Sequence, residues 1–202
     1  TVFDAAAKSA GRLIPFAVVT PHTDPNAARR VEAWIGEKRI AGAKALAWYH
    51  ALEPGRDLAP IGHVLERARM PLLLQLGANA RTSDFQALRT ACPKLNVILT
   101  HAAMPVFRAA WESVRKDPRL YIDLCGPWID AATTRAAVRA VGAHKAVFGS
   151  NAPTGLRSPE QTGDSSYAAA LERLAELRLR SNEMDLIMGE TMANILNNPS
   201  GA

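Results

Sequence analysis

The residues best suited to chemistry in this 202-residue chain stand where short apolar runs end. His101 closes the apolar run 95–101 and precedes two alanines, while His22 and His50 follow two earlier runs. An imidazole exchanges a proton near neutral pH and binds metals, so His101 is the leading candidate for a catalytic or metal-binding side chain. Another interpretation remains open: the His101 ring could have only a structural hydrogen bond to a loop carbonyl, and His22 and His50 could be solvated loop residues.

Two other polar residues stand out by their position. Lys44 lies inside the apolar run 43–48. Burying an ammonium group is costly unless it is paired, so Lys44 either reaches an edge or holds an anion. Asn151 follows the run 145–150 within the segment Phe-Gly-Ser-Asn-Ala-Pro. An amide donates and accepts hydrogen bonds but cannot act as a general base. The residues of this segment are equally typical of a turn without any chemical role.

Six apolar runs rich in Val, Ile and Leu recur about every 25 residues, with helical patterns between them. They cover residues 14–20, 43–48, 71–76, 95–101, 120–125 and 145–150. Most are continuous rather than alternating, which is typical of parallel strands buried on both faces. The order predicts an α/β fold with a parallel sheet, either a (β/α)8 barrel or an open doubly wound sheet. No glycine-rich phosphate-binding motif follows any run, which disfavours a nucleotide-binding open sheet.

The length indicates a single barrel domain spanning residues 1–202. A (β/α)8 barrel usually takes about 250 residues, so the six units leave two β/α units apparently missing from this chain. The chain begins with Thr rather than Met, and its first residues resemble the end of a helix. Both features favour a loss at the N-terminal side.

Composition restricts the partners. The net charge is +5, from 24 Lys and Arg against 19 Asp and Glu, and the basic residues form no continuous tract, so no nucleic-acid partner is expected. No apolar stretch reaches the length of a membrane span, and no membrane partner is expected. The two cysteines have no Cys-x-x-Cys spacing and the N-terminus has no signal-peptide pattern, so we expect a reduced, cytoplasmic protein. A homo-oligomer stays open.

Five segments together resemble the amidohydrolase superfamily, in its amidohydrolase-related branch. They cover residues 40–46, 93–101, 120–126, 147–153 and 184–196, and the resemblance runs in order over nearly the whole chain. This branch includes pyrone-dicarboxylate lactonase and decarboxylases of the aminocarboxymuconate type. The resemblance implies a (β/α)8 barrel whose third to eighth strands are the six runs.

The sequence departs from that family pattern at three places. The first family strand carries a His-x-His pair, and this sequence contains none. Gln75 stands where the fifth strand often ends in a ligand histidine, and lactonase-like members also lack that histidine and work without a divalent metal. Asn151 stands where the eighth strand carries a catalytic aspartate. We therefore expect one divalent metal, zinc or manganese, in a full-length protein with His101 as a ligand, and none bound by this chain.

The resemblance implies a lactonase-like hydrolase or a carbon–carbon lyase. The substrate would be a small, ring-derived carboxylic acid or lactone, attacked through a polarised carbonyl and activated water. His101 and Asn151 occupy the catalytic positions, and Lys44 would hold a substrate carboxylate. Four further side chains would line the pocket: Thr20, Trp48, Gln75 and Trp128. The alternative is a non-catalytic barrel that has lost its metal site.

Overall fold

The computed structural model of the protein describes residues 2–152 and 165–197. Six strands follow one another in the sheet in sequence order. They are β1 (Phe16–Val19), β2 (Gly42–Leu46), β3 (Leu72–Gln75), β4 (Val97–Leu99), β5 (Leu120–Asp123) and β6 (Ala146–Val147). All six predicted runs therefore contain a strand. An order without a central switch point excludes the doubly wound alternative.

Eleven α-helices lie in the described part of the chain, beginning before β1 and filling every connection between strands. They are α1 (Val2–Lys8), α2 (Ala27–Gly36), α3 (Ala47–His50), α4 (Pro54–Asp57), α5 (Ala59–Ala68), α6 (Thr82–Ala91), α7 (Phe107–Lys116), α8 (Ala131–Val141), α9 (Ser165–Ala175), α10 (Ser181–Asp185) and α11 (Thr191–Asn197). No helix among residues 2–152 and 165–197 is long and apolar enough to cross a membrane.

The described residues divide into two compact units, one ending at Val97 and the other beginning at Ile98. In the first unit, β1, β2 and β3 pair in parallel, with Val18 beside Lys44 and Lys44 beside Leu73. Side chains alternate along a strand. One face of this sheet is fully buried. On the other face, Val18, Lys44 and Leu73 are exposed or half-buried, and Gln75 is buried. The first unit thus presents an open sheet face that carries a lysine.

In the second unit the end of β4 and all of β6 are buried, and so is β5 except for the half-buried Tyr121. β5 and β6 pair in parallel, with Ile122 beside Ala146. A buried cation closes the opposite end of these strands. Lys145 Nζ donates to the carbonyl oxygens of Asp117 and Leu120, at 2.8 and 3.1 Å. These bonds compensate for the burial of the ammonium group.

Two predicted strand boundaries differ from the observed ones. The run 43–48 ends as a strand at Leu46, and Trp48 lies in the short helix α3. The run 95–101 ends as a strand at Leu99, and His101 begins a 3₁₀ turn. The family-like segment 184–196 falls in the end of α10, a π-helical stretch (Leu186–Glu190) and α11; Phe148 N donates to the Ile187 carbonyl within that stretch. Pro153, which ends the Phe-Gly-Ser-Asn-Ala-Pro segment, lies outside the described residues.

Candidate functional site

The turn after β4 places His101 inside the second unit. His101, Ala102 and Ala103 have φ values of 56°, 54° and 65°. Left-handed backbone at three successive non-glycine residues is strained, and it persists only where surrounding contacts impose it. One such contact is the Trp111 indole N–H, which donates to the Ala102 carbonyl oxygen at 2.8 Å. The reversal leaves the His101 side chain 3% exposed.

A buried carboxylate joins this turn to the end of β5. Asp123 Oδ1 accepts from the backbone N–H of His101 at 2.7 Å and from that of Cys125 at 3.1 Å. Hydrogen bonds to an ionised acceptor are stronger than neutral ones. Asp123 therefore fixes the two backbone segments that carry the imidazole and the thiol.

His101 Nδ1 has two close polar neighbours. It lies 3.1 Å from the Cys125 carbonyl oxygen and 3.2 Å from Cys125 Sγ. A carbonyl oxygen only accepts hydrogen bonds, so the tautomer with the proton on Nδ1 makes a hydrogen bond to it. In that tautomer the lone pair lies on Nε2, which is then the nitrogen available for proton transfer.

Trp128 and Gly126 shape the surroundings of that ring. The Trp128 indole packs edge-on against the imidazole, with ring centroids 4.7 Å apart, and Trp128 is 45% exposed. Trp128 is thus the solvent-facing part of the cluster. Gly126 has φ of 91°, and a Cβ there would lie 2.9 Å from His101 Nδ1. Only glycine combines this backbone with so close an imidazole.

Substituting Gly126 by alanine should therefore destabilise the protein by about 1–3 kcal/mol, because the added methyl group meets a left-handed backbone and the His101 ring together. Urea unfolding followed by circular dichroism measures the change. Gly36→Ala is the matched control, because Gly36 ends α2 and a Cβ there meets nothing within 4 Å. A Gly126→Ala protein as stable as the parent would contradict this description of the turn.

Arg173 brings a cation to the same unit. Its Nη2 donates to the Leu124 carbonyl oxygen at 3.1 Å, across 49 residues of sequence. Burial lowers the pKa of this guanidinium, and the electrostatic interaction with Cys125 opposes that effect. The end of β5 therefore combines a thiol, a carboxylate, an imidazole and a half-buried cation.

Three of these groups form a set of metal-ligating atoms. One donor atom each from His101, Asp123 and Cys125 lies within 4.8 Å of the other two, and all three residues are buried. Of these three residues, only His101 was predicted from the sequence as a metal ligand. The Asp-x-Cys pair at the end of the fifth run supplies two further donor atoms.

The first unit contains four of the side chains expected to bind substrate. Lys44 and Gln75 belong to the open face of its sheet, and Thr20 follows the end of β1. Gln75 is buried, whereas Lys44 and Thr20 are half-buried. Trp48 lines a cavity of about 300 Å³ after β2 and β3, together with Leu76 and Asp84. The roles of these side chains stay predictions.

The two remaining loop histidines have other surroundings. His22 Nε2 lies 2.9 Å from Asp57 Oδ2. Asp57 has a pKa of about 2, chiefly because Arg56 hydrogen-bonds to it, so it is a carboxylate that fixes the His22 ring. His50 ends α3. The contact with Asp57 gives His22 a structural partner within the first unit.

Asn151 follows the end of β6 in the second unit, half-buried and with φ of 58°. Asparagine tolerates left-handed backbone better than most residues. The Ala152 N–H donates to Ser150 Oγ at 3.2 Å, so this segment does form a local turn. The catalytic role of Asn151 stays a prediction.

A family match covers almost the whole sequence. The model of the amidohydrolase family matches residues 1–193. The chain belongs to the amidohydrolase family. The resemblance seen in the five sequence segments is thereby confirmed, and the protein is a member of an enzyme family. A search of curated proteins finds no match for this amidohydrolase.

Solved structures show the fold of this amidohydrolase. A 2,6-dihydroxybenzoate decarboxylase complexed with 2,6-dihydroxybenzoate matches with a TM-score of 0.74 and 14% identity, over 97% of this chain and 74% of that one. A protein from Pseudomonas putida named as a proposed 2-pyrone-4,6-dicarboxylic acid hydrolase matches with a TM-score of 0.68 and 14% identity, over 97% of this chain and 76% of that one. Such likeness shows the fold, which is of the TIM-barrel type as predicted.

One further neighbour contains a metal. A dihydroxybenzoic acid decarboxylase from Polaromonas, with bound manganese and the inhibitor 2-nitroresorcinol, matches with a TM-score of 0.72 and 16% identity, over 97% of this chain and 72% of that one. Manganese prefers carboxylate, carbonyl and water oxygens, whereas thiolates select softer ions. The His101, Asp123 and Cys125 donors therefore do not fit manganese, and no step of the chemistry below is assigned to it.

Proposed function

We propose that this amidohydrolase is a hydrolase or carbon–carbon lyase that acts on a small, ring-derived carboxylic acid or its lactone. The observation that supports this most is the buried His101 after β4, whose Nδ1 lies 3.1 Å from the Cys125 carbonyl oxygen. The tautomer with the proton on Nδ1 leaves one defined nitrogen, Nε2, for proton transfer. The decarboxylase and lactone-hydrolase neighbours support the substrate class.

For a lactone, His101 Nε2 takes a proton from water as the water oxygen attacks the ring carbonyl carbon. The C–O bond of the ring then breaks, and the leaving alkoxide or enolate oxygen receives that proton. The product is an opened hydroxy or keto acid, which releases one proton to solvent near neutral pH. Such positioned proton transfer contributes about 10²–10⁴ in rate.

For an aromatic acid, the same nitrogen works in its protonated form. The imidazolium delivers its Nε2 proton to the ring carbon that bears the carboxylate. The bond to the carboxylate carbon then breaks, its electrons return to the ring, and CO₂ leaves. The neutral imidazole that remains then takes up a proton from solvent and becomes imidazolium again. Each turnover therefore consumes one proton when the CO₂ is removed.

Cationic side chains suit an anionic substrate. In the second unit, Arg173 has one of its five N–H donors on the Leu124 carbonyl, and a guanidinium can bind a carboxylate through two parallel donors. In the first unit, Lys44 is the predicted carboxylate-binding lysine. The net charge of +5 agrees with this substrate class but adds little alone.

A panel of substrates tests the proposal. Turnover of 2-pyrone-4,6-dicarboxylate, 2,6-dihydroxybenzoate and 5-carboxyvanillate is measured by ultraviolet absorbance, with product identification by mass spectrometry. On whichever compound reacts, Lys44→Met should raise KM about 10- to 100-fold with kcat little changed, because a charge-assisted hydrogen bond to the carboxylate is lost.

Lys8→Met serves as the matched control, because Lys8 is an exposed lysine at the end of α1. Its KM should equal that of the parent. Equal KM values for Lys44→Met and Lys8→Met would remove Lys44 from substrate binding. Failure of the parent protein to convert any lactone or aromatic acid would favour the non-catalytic barrel instead.

A further inference from the structure

We propose that His101, Asp123 and Cys125 form a binding site for one zinc-class divalent ion, distinct in its chemistry from the manganese of the Polaromonas neighbour. The inference goes beyond the proposed function but uses the same His101 ring. An ion on Nδ1 leaves the ring proton on Nε2, so the metal-bound protein lacks the proton acceptor of the proposed function. Metal binding is measured without substrate, so it is tested independently of turnover. The site lies wholly within the second unit, between the turn after β4 and the end of β5.

The distances are close to those of a tetrahedral zinc site. Zinc binds histidine nitrogen at about 2.0–2.1 Å and cysteine sulfur at about 2.3 Å, which puts these two ligand atoms about 3.5 Å apart. His101 Nδ1 and Cys125 Sγ are 3.2 Å apart. With the carboxylate of Asp123, no two of the three donor atoms are more than 4.8 Å apart. Side-chain rotations that move the donor atoms by roughly 1 Å would bring all three to ligand distance from one ion.

The donor set selects the ion. Thiolate and imidazole ligands suit zinc and the ions that substitute for it, whereas manganese, magnesium and calcium prefer oxygen. Deprotonated Cys125 and Asp123 together supply two negative charges, which neutralise a divalent ion in a buried place. Arg173 faces this cluster with its positive charge, but its Nη2 is directed to the Leu124 carbonyl oxygen.

Binding of the ion moves the protons of two ligands. A ligating imidazole is neutral and a ligating thiol is deprotonated. The His101 ring proton therefore moves from Nδ1 to Nε2 when the ion binds, and the Cys125 thiol proton is released to solvent. One oxygen of Asp123 already accepts hydrogen bonds from the backbone N–H groups of both other ligands. That carboxylate therefore keeps the ligands near their positions before the ion arrives, which lowers the cost of assembling the site.

Cobalt(II) provides the test, because cobalt–thiolate bonds give an intense near-ultraviolet charge-transfer band and tetrahedral cobalt gives visible bands. The purified protein is dialysed against a chelator and then titrated with Co²⁺ and, in parallel, with Zn²⁺ by calorimetry. We expect one ion per chain, both sets of bands, and displacement of Co²⁺ by Zn²⁺ but not by Mn²⁺. Absence of a stoichiometric event with either ion would overturn the proposal.

Two variants and one control assign the ligands. Cys125→Ser should remove the charge-transfer band and weaken binding at least about 100-fold. Asp123→Asn keeps an oxygen that accepts the two backbone N–H groups but loses the charge, and should weaken binding about 10- to 100-fold. The control is Cys92→Ser, which removes the other buried thiol, 3.6 Å from His63 Nδ1.

The control variant should bind like the parent. Its thiol has a pKa raised to about 11 by burial, and ligation there would require losing that proton. A charge-transfer band that disappears in Cys92→Ser and persists in Cys125→Ser would move the site to the Cys92 region and refute the assignment. Circular dichroism of each variant verifies that it is folded.

Discussion

Replacing His101 by glutamine is expected to lower kcat/KM about 10²–10⁴-fold on any substrate that the protein converts. Glutamine can still hydrogen-bond to the Cys125 carbonyl, so the buried position stays filled and partly satisfied. It has no nitrogen that accepts a proton near neutral pH, so the transfer assigned to Nε2 is lost. Steady-state kinetics of parent and variant measure the loss.

The pH dependence separates this loss from a packing defect. The parent should show a limb in kcat/KM that reports one ionising group, and His101→Gln should lack it. His63→Gln is the control, because His63 lies on α5 and its ring contacts Cys92 in the first unit. Equal activity of His101→Gln and parent, with both folded, would place the chemistry on another residue.

The second large effect on turnover is expected from a carboxylate at position 151. Asn151→Asp is expected to raise turnover about 10²–10⁴-fold, because a carboxylate can take a proton from water where an amide cannot. The substitution is nearly isosteric, and both residues tolerate the left-handed backbone at φ of 58°. The measurement is kcat on a substrate that the parent converts.

Asn26→Asp is the companion variant for that experiment. Asn26 precedes α2 in the first unit, and the same chemical change there should leave kcat unaltered. An Asn151→Asp protein no faster than the parent would show that position 151 takes no part in proton transfer. Acceleration by both variants would indicate a general effect of charge instead.

The order of the elements could be read from the sequence, because continuous apolar runs and their spacing reflect burial on both faces of a parallel sheet. The six predicted strands and their sequential order are confirmed. The predicted runs extend past the strands because composition does not reveal where backbone pairing ends. Trp48, for instance, continues an apolar run but belongs to a helical turn.

The site was only partly predictable, for a different reason. His101 could be found because a polar ring after a buried strand is conspicuous. Asp123 and Cys125 were visible at the end of the fifth run, but no sequence pattern shows that one carboxylate oxygen holds the backbone of both His101 and Cys125. Arg173 comes from a distant helix, and nothing in its neighbourhood of the sequence directs it to the Leu124 carbonyl.

The measurement that tests the proposed function most directly is the proton balance during turnover, followed in a pH-stat under a gas stream that removes CO₂. Wild-type protein is predicted to release one proton per lactone opened or to consume one per aromatic acid decarboxylated. His101→Gln should reduce either rate about 10²–10⁴-fold. No proton change with any member of the panel, or an equal rate for the parent and His101→Gln, would contradict the account.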